Sequence, residues 1–361
     1  MIIVSRAPVR ISLGGGGTDL PPYYERYGGL VVSAAIDYYV YAILSPAKNA
    51  PLQIISADYR TMVQRPICED LIWDGDLALP KAVIYHFNVR DGVTVFLASQ
   101  IPPGTGLGSS GSVAVSMIKA LAFWCGLDLS PAEVAELACF IEIGKMGMPV
   151  GKQDQYASAF GGLNYITFKK EGVSVEPLNL SLNTRQSLQR RLMLFFTGTS
   201  HTSSTILRHQ TNASRRGDPA VIKRLHTIKE LGLAIKAALE QGNLQEFGEL
   251  LHQSWLNKRE LSDNVTNPFI DKSYTAALEH GAIGGKITGA GGGGFLLLYC
   301  PEKRQEAVTE ALERLGLQRR DFAFDMEGVQ VMQAIPWQRS PYSLERYMTS
   351  VTSPRRAWVS A

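Results

Sequence analysis

The chain has 361 residues, of which 45% are hydrophobic, with 36 basic against 33 acidic side chains. That length supports a sizeable core and two domains. The slight excess of positive charge suits a protein that handles acidic small molecules, and no dense Lys/Arg run with interleaved aromatics argues for nucleic acid. The N-terminus lacks the apolar stretch of a signal peptide, no apolar run approaches membrane-span length, and Cys68, Cys125, Cys139 and Cys300 are scattered without metal spacing. The expectation is a cytoplasmic protein with reduced thiols and no membrane or nucleic-acid partner.

In chain order, "MIIVSRAPVRISL" and "LVVSAAIDYYVYAILSP" read as strands joined by a glycine turn, followed by strand candidates "LQIISAD" and "VTVFLAS". The glycine stretch "PPGTGLGSSGS" then leads into a helix, "SGSVAVSMIKALAFWCG", ending at Gly126. Ser130 and Pro131 are cap and first-turn residues of a second helix, "PAEVAELACFIEIGKM". Strand signals return in "GGLNYITF", "GVSVEPLNL" and "RLMLFFTG". Three helical patterns follow, then a glycine loop entering "FLLLYC", a helix in "EAVTEALERLGL" and a last strand in "DFAFDMEGVQVM". Strands and helices mix without regular alternation, so the fold class is α+β. A boundary is expected in "NLSLNTRQSLQRR", which divides the chain into residues 1–185, 186–336 and a 337–361 tail rich in Arg, Ser and Pro. The tail reads either as disordered or as an arm on a partner subunit, which would imply a homodimer.

Residues 106–111 fit G-x-G-x-x-G, yet a dinucleotide site needs the loop to follow a strand tightly and an acid at the end of the next strand. Here Pro102 and Pro103 intervene, and Asp128 lies between two helices. A Walker A loop needs a lysine that is absent. Glycines followed by Ser109, Ser110 and a helix start still suit phosphate, because free amides and the helix dipole favour an anion there.

The whole element resembles the second motif of the GHMP small-molecule kinases, Pro-x-x-x-Gly-Leu-Gly-Ser-Ser-Ala, departing only in Gly111 for Ala. "RAPVRISLGGGGTDL" resembles the family's N-terminal substrate motif and "KITGAGGGGFLLL" its third motif. The resemblance implies a two-domain architecture, a ribosomal protein S5 domain 2-like N-terminal domain and a ferredoxin-like C-terminal one. It implies ATP held by Pro103, Gly104, Gly106, Leu107, Gly108, Ser109, Ser110 and Gly111, and Mg²⁺ held by Ser110 and Glu142. Asp154 is implied as the residue that accepts the proton of the attacking hydroxyl or orients it. Arg10, Gly16, Thr18, Asp19, Thr288, Gly289, Gly291 and Gly292 are the substrate-binding set.

Each residue also has a plainer reading. Glu142 suits a partly exposed glutamate paired with Lys145, Asp154 a turn cap confused with its neighbour Gln153, and Asp19 a cap before Pro21. Arg6 and Arg10, four apart in a strand, belong on one face and suit substrate phosphate or a structural ion pair. The second glycine loop suits a tight backbone crossing that needs no ligand. His201 and Arg208 follow a strand in Ser/Thr-rich surroundings.

Within the family, the N-terminal stretch, "KQDQYASAFGGLNYITF" and "TGTSHTSSTIL" are similar to the branch that phosphorylates D-glycero-D-manno-heptose 7-phosphate. That implies transfer from ATP to the anomeric O1, giving heptose 1,7-bisphosphate for nucleotide-activated heptose and surface polysaccharide. Arg6, Arg10, Lys152 and Arg208 are the candidates for the distal phosphate. The alternatives are a fucose or other free-sugar 1-kinase, a decarboxylase of the mevalonate-diphosphate type, and a non-catalytic sugar sensor.

Overall fold

The computed structural model describes residues 2–65, 73–89, 91–198, 203–262 and 264–334. His201, Cys68 and the 337–361 tail lie outside them. The first sheet is built on β1 (Ile2–Gly14) and the long bent β2 (Gly29–Ser56). Around them stand β3 (Thr61–Arg65), β4 (Asp91–Ser99), β5 (Leu163–Lys169), β6 (Gly172–Pro177) and a strand from the far end of the chain, β11 (Gln330–Ala334). The central order is β11-β1-β2-β5-β6, with β3 and β4 also on β2. The second sheet comprises β7 (Leu192–Phe196), β8 (Gly284–Ile287), β9 (Phe295–Tyr299) and β10 (Gln318–Arg320), in the antiparallel order β10-β7-β9-β8. Helices separate β7 from β8 and β9 from β10, so this unit has the βαββαβ pattern of a ferredoxin-like fold.

A break in register between β1 and β2 decides which side chains reach the site. Ile3 and Ala7 pack into the core under the N-terminal helices, whereas Val9, Ile11 and Leu13 pack into the core shared with the second sheet. The pairing of β1 with β2 slips between Pro8 and Val9. Pro8 pairs with Tyr39 and Val9 with Ile36, so Asp37 and Tyr38 of β2 are left over at this step, and the buried face of β1 changes across it. Arg6 and Arg10 therefore do not share a face, against the expectation from their spacing. Arg6 pairs with Glu327 at 2.7 Å and lies over the Tyr39 ring, while Arg10 turns toward the helices.

The helices that matter for the site are α1 (Pro21–Tyr27), α2 (Ala78–His86), α3 (Ser109–Trp124), α4 (Pro131–Cys139) and α5 (Gln153–Phe160). Helix α4 begins with the expected cap: Ser130 accepts from the Glu133 amide and the Glu133 side chain answers at the Ser130 amide. It does not run on as one α-helix. Residues Phe140–Lys145 form a π-helical turn, a single-turn widening that places Glu142 inward beside Ser110. The stretch where a boundary is expected is largely helical: α6 (Leu182–Arg191) is capped by Ser181, and residue 185 falls within it. Beyond it come α7 (Ser203–Arg216), α8 (Pro219–Glu240), α9 (Leu244–Arg259), α10 (Pro268–Glu279) and α11 (Gln305–Arg314). The strand expected over 321–332 shrinks to an isolated bridge at Phe324 plus β11, which pairs with β1 and so belongs to the first sheet rather than to the region where its sequence position placed it. No helix among the described residues is long and apolar enough to cross a membrane.

Candidate active site

The glycine stretch before α3 lies where β1, α5 and the second glycine loop converge. The Arg10 amide donates to the Leu107 carbonyl at 2.9 Å, and the Arg10 guanidinium donates to the Gly106 carbonyl at 2.7 Å. Helix α3 starts after Gly108 with no side-chain cap. Its first amides remain available to an anion.

A cavity of about 180 Å³ opens beside this start. Gly104, Gly106, Gly108, Ser109 and Ser110 line one side; Arg10, Gly16, Asp19 and Asp154 line another; Lys258, Lys286 and Gly289 come from the C-terminal unit. At its centre Arg10, only 5% exposed, donates from Nε to Asp154 Oδ1 at 2.8 Å. This pairing holds the carboxylate against the glycine loop, and Asp154 is neither a turn cap nor interchangeable with Gln153. Gln153 instead accepts from the Ser12 hydroxyl at 3.0 Å and donates its amide to Asp19 at 3.2 Å.

Asp19 is both a cap and a wall of the cavity. Its Oδ1 accepts from the Gly17 amide at 2.9 Å, and burial, then the nearby Asp154 charge, push its carboxyl up. Gly151 is required here, because any Cβ would collide with the Asp19 carboxylate. Glu142 is 1% exposed. It accepts from the Ser110 hydroxyl at 2.8 Å and from the Gln155 amide group at 2.6 Å. Burial raises its carboxyl to about 7, with the Asp154 charge adding to the rise and both hydrogen bonds opposing it. The proposed pairing with Lys145 is not formed; Lys145 meets His86 Nδ1 at 3.0 Å. A buried carboxylate and hydroxyl side by side, one of them poorly solvated, are hard oxygen donors that fit Mg²⁺. That ion is commonly bound by one or two protein oxygens plus substrate phosphates.

Two lysines escaped the sequence reading as site residues. Lys286 is 3% exposed, and burial, then the charges of Lys258 and Arg10, hold its ammonium well below the usual lysine range. Lys258 donates to the Gly289 carbonyl, and burial followed by Arg10 lowers it to about 8. Lys286 stands inside the third motif, which was a signal available in the sequence; Lys258 ends an ordinary amphipathic helix and gave none.

Other expected site residues are placed elsewhere. The Thr18 hydroxyl donates to the Gly15 and Leu30 carbonyls, and Thr288 directs its hydroxyl to Thr105 and Phe295 backbone oxygens. Both are fully occupied in holding the chain. Leu107 is buried in the shared core, Gly291 packs on Val265, and the Gly292 amide donates to Val265. Gly111 lies beneath Asp154: a Cβ there would come within 2.8 Å of the Asp154 Cβ. Glycine in place of the family's alanine is thus what lets α5 approach α3 closely.

A second cavity, about 310 Å³, adjoins the glycine loop on the side away from Asp19. Pro103, Gly104, Ser109 and Ser110 line both its wall and the loop, and Leu77, Leu79, Leu97, Val113 and Met148 make the rest largely apolar. It is drawn from β4, α2 and the turn after the π-helical segment, elements distant in sequence, which is why no local pattern announced it.

The fold and this loop-centred site define a small-molecule kinase architecture. The GHMP kinases N-terminal domain model matches residues 78–162 and the GHMP kinases C-terminal model matches 235–317. The chain belongs to the GHMP kinase family, phosphotransferases with an alcohol acceptor. It is 32% identical over 334 residues to a D-glycero-alpha-D-manno-heptose 7-phosphate kinase from Campylobacter jejuni, an alignment covering 91% of this chain and 98% of that protein. A solved structure described as a D-glycero-D-manno-heptose 1-phosphate kinase from Bacteroides thetaiotaomicron superposes with a TM-score of 0.77 at 30% identity, over 92% of this chain and 99% of that one. The L-fucokinase/L-fucose-1-P guanylyltransferase of Bacteroides fragilis is 26% identical, and this chain spans 35% of its length.

Proposed function

We propose that the chain transfers the γ-phosphate of ATP to the anomeric O1 of D-glycero-D-manno-heptose 7-phosphate. The observation that carries this reading is the Arg10–Asp154 pair, fixed at the junction of the glycine loop and the Asp19 chamber. Likeness to the Campylobacter jejuni kinase supports the sugar phosphate over fucose, since the fucokinase relative is more distant and mostly longer sequence.

In this reading the amides of Gly104–Ser110 cradle the triphosphate and the apolar cavity takes the adenine. Asp19 accepts sugar hydroxyls. Asp154 orients O1 and accepts its proton as O1 bonds to the γ-phosphorus and the bond to the β–γ bridging oxygen breaks, releasing ADP. Arg10 keeps that carboxylate in place. Ser110 and Glu142 would hold Mg²⁺, which supplies charge neutralisation for the transferring group. Lys258, and Lys286 once an anion fills the cavity, add positive charge on the opposite wall. Phosphoryl transfer is loose, so positioning and neutralisation of this kind account for most of the acceleration.

The test is ADP release with a sugar panel, with the product's position of phosphorylation read by phosphorus NMR. Heptose 7-phosphate is expected to exceed fucose, galactose and mannose in kcat/KM. A preference for fucose assigns the chain to free-sugar kinases. Release of CO₂ from a mevalonate-type acid assigns it to the decarboxylases, and absence of turnover with retained sugar binding to a sensor.

A further inference from the structure

A third cavity, about 570 Å³, backs onto the active site across Val150, which lines both. Its floor is one stripe of α7. Arg208, Thr211, Asn212 and Arg215 follow one another at intervals of three, one and three, which brings all four to one face over two turns. The neighbouring face of the same helix supplies Leu207 and Gln210 to the active-site cavity. Arg26 of α1 enters from the opposite wall, its Nη2 donating to the Arg215 carbonyl at 3.4 Å.

This compartment is lined by three arginines and one acid, so its wall is net positive. Among the described residues neither the Arg208 nor the Arg215 guanidinium has an ion pair or side-chain hydrogen bond, and Glu25, the acid on the cavity wall, pairs with neither. Thr211 is 8% exposed, and its hydroxyl is buried with no hydrogen-bond partner. A mid-helix threonine ordinarily satisfies its hydroxyl on the preceding turn. Unmet hydrogen-bonding capacity at a buried site costs stability unless a ligand supplies the partner. The other candidate cations have partners: Arg6 holds Glu327, Lys152 holds Glu136 at 3.0 Å, and Arg10 holds Asp154.

We propose that Arg208, Thr211 and Arg215 of α7, with Arg26, form the subsite for the distal phosphate monoester of the sugar acceptor; this rests on the sugar-phosphate reading above. Guanidiniums in a row with a hydroxyl between them match the planar, multidentate demand of a phosphate. The subsite lies beyond the Asp19 end of the active-site cavity, so the acceptor's reacting end stays at Asp154 while its far end enters the arginine compartment.

The test compares Arg208→Gln and Arg215→Gln with the unaltered chain on two acceptors, mannoheptose 7-phosphate and unphosphorylated mannoheptose. For the phosphorylated sugar KM rises about tenfold or more per arginine, the size of one charge-assisted hydrogen bond, with kcat little changed. For the free sugar kcat/KM stays within about twofold, since no phosphate meets the arginines. Equal losses on both sugars, or no change in KM, overturn the subsite. Inorganic phosphate titrated calorimetrically, with a non-hydrolysable ATP analogue filling the glycine loop, separates the two readings. If the unaltered chain does not prefer the phosphorylated sugar, the substrate reading fails. The subsite still stands only if the titration shows phosphate binding that weakens about tenfold in Arg208→Gln.

Discussion

The two glycine loops look equivalent as sequence and differ as structure. Residues 103–111 expose amides and serines to two cavities. Residues 286–294 direct only Lys286, Gly289 and Ala290 to one cavity and use the rest to hold the chain. The Gly294 carbonyl accepts from both the Thr197 amide and hydroxyl at 2.9 Å, and the Asn267 side chain donates to the Gly292 carbonyl at 3.2 Å. Gly289, at a φ of +64°, lies so close that a Cβ would be 2.5 Å from the Gly106 Cα. A glycine can make room for a ligand or for another stretch of backbone, and the two loops divide those uses: one leaves its amides facing the cavities, the other clamps the first from behind.

The largest effect expected is at Asp154, the residue packed against the first loop. Asp154→Asn keeps ATP-analogue binding and lowers kcat by roughly two decades or more, the usual contribution of a positioned base. A raised KM at unchanged kcat would make Asp154 a binding residue. Close behind, Glu142→Gln loses most activity at ordinary Mg²⁺ and recovers part of it at high Mg²⁺, while Ser110→Ala, where water can replace the hydroxyl, loses less. Near-normal turnover of the Glu142 variant at low Mg²⁺ would remove it from the metal site.

The clamping loop should respond in stability instead. Gly294→Ala adopts a φ of +90° and drives its methyl into the Thr105 carbonyl, so unfolding by denaturant should show a loss of about 1–3 kcal/mol or more. A variant of normal stability but impaired ATP binding would erase the distinction between the loops. At the first loop, Gly111→Ala restores the family's usual residue and gains helix propensity of up to about 1 kcal/mol. It also displaces Asp154, so kcat should fall severalfold while ATP affinity holds; an unchanged kcat would show that α5 moves freely.

The smallest effect concerns protons. Lys258 is lowered to about 8 in the folded chain. Its burial penalty is complete below pH 8, where both folded and unfolded states are protonated, and is relieved as pH rises toward the unfolded value near 10.5. An anionic ligand in the cavity favours the charged ammonium. Binding at a pH of about 8.5 should therefore take up a fraction of a proton, measured by calorimetry in two buffers of different ionisation enthalpy. No uptake would separate Lys258 from the ligand's charge.

Much of this molecule was legible as sequence because its signals are local. The Ser130 cap, the strand β5 and the helix start after the glycine run depend on neighbours within a few residues, and each is where it was expected. Asp19 and Asp154 were named from the motifs alone. Tertiary structure decided what depends on distant partners. The register break opposite Pro8 and Val9 separated Arg6 from Arg10, a change of face that no side-chain spacing announces. The π-helical turn and its contact with Ser110 placed Glu142 inside rather than on a surface with Lys145. Thr18 and Thr288 were drawn into backbone hydrogen bonds because buried hydroxyls must find partners, and the backbone was nearer than any substrate. The sequence by itself determined which chemistry the chain can perform, since side-chain identity sets donors, acceptors and charge. Only the packing of α1, α5, α7 and α9 around the glycine loop decided which of those groups meet, because burial and distance set their energies.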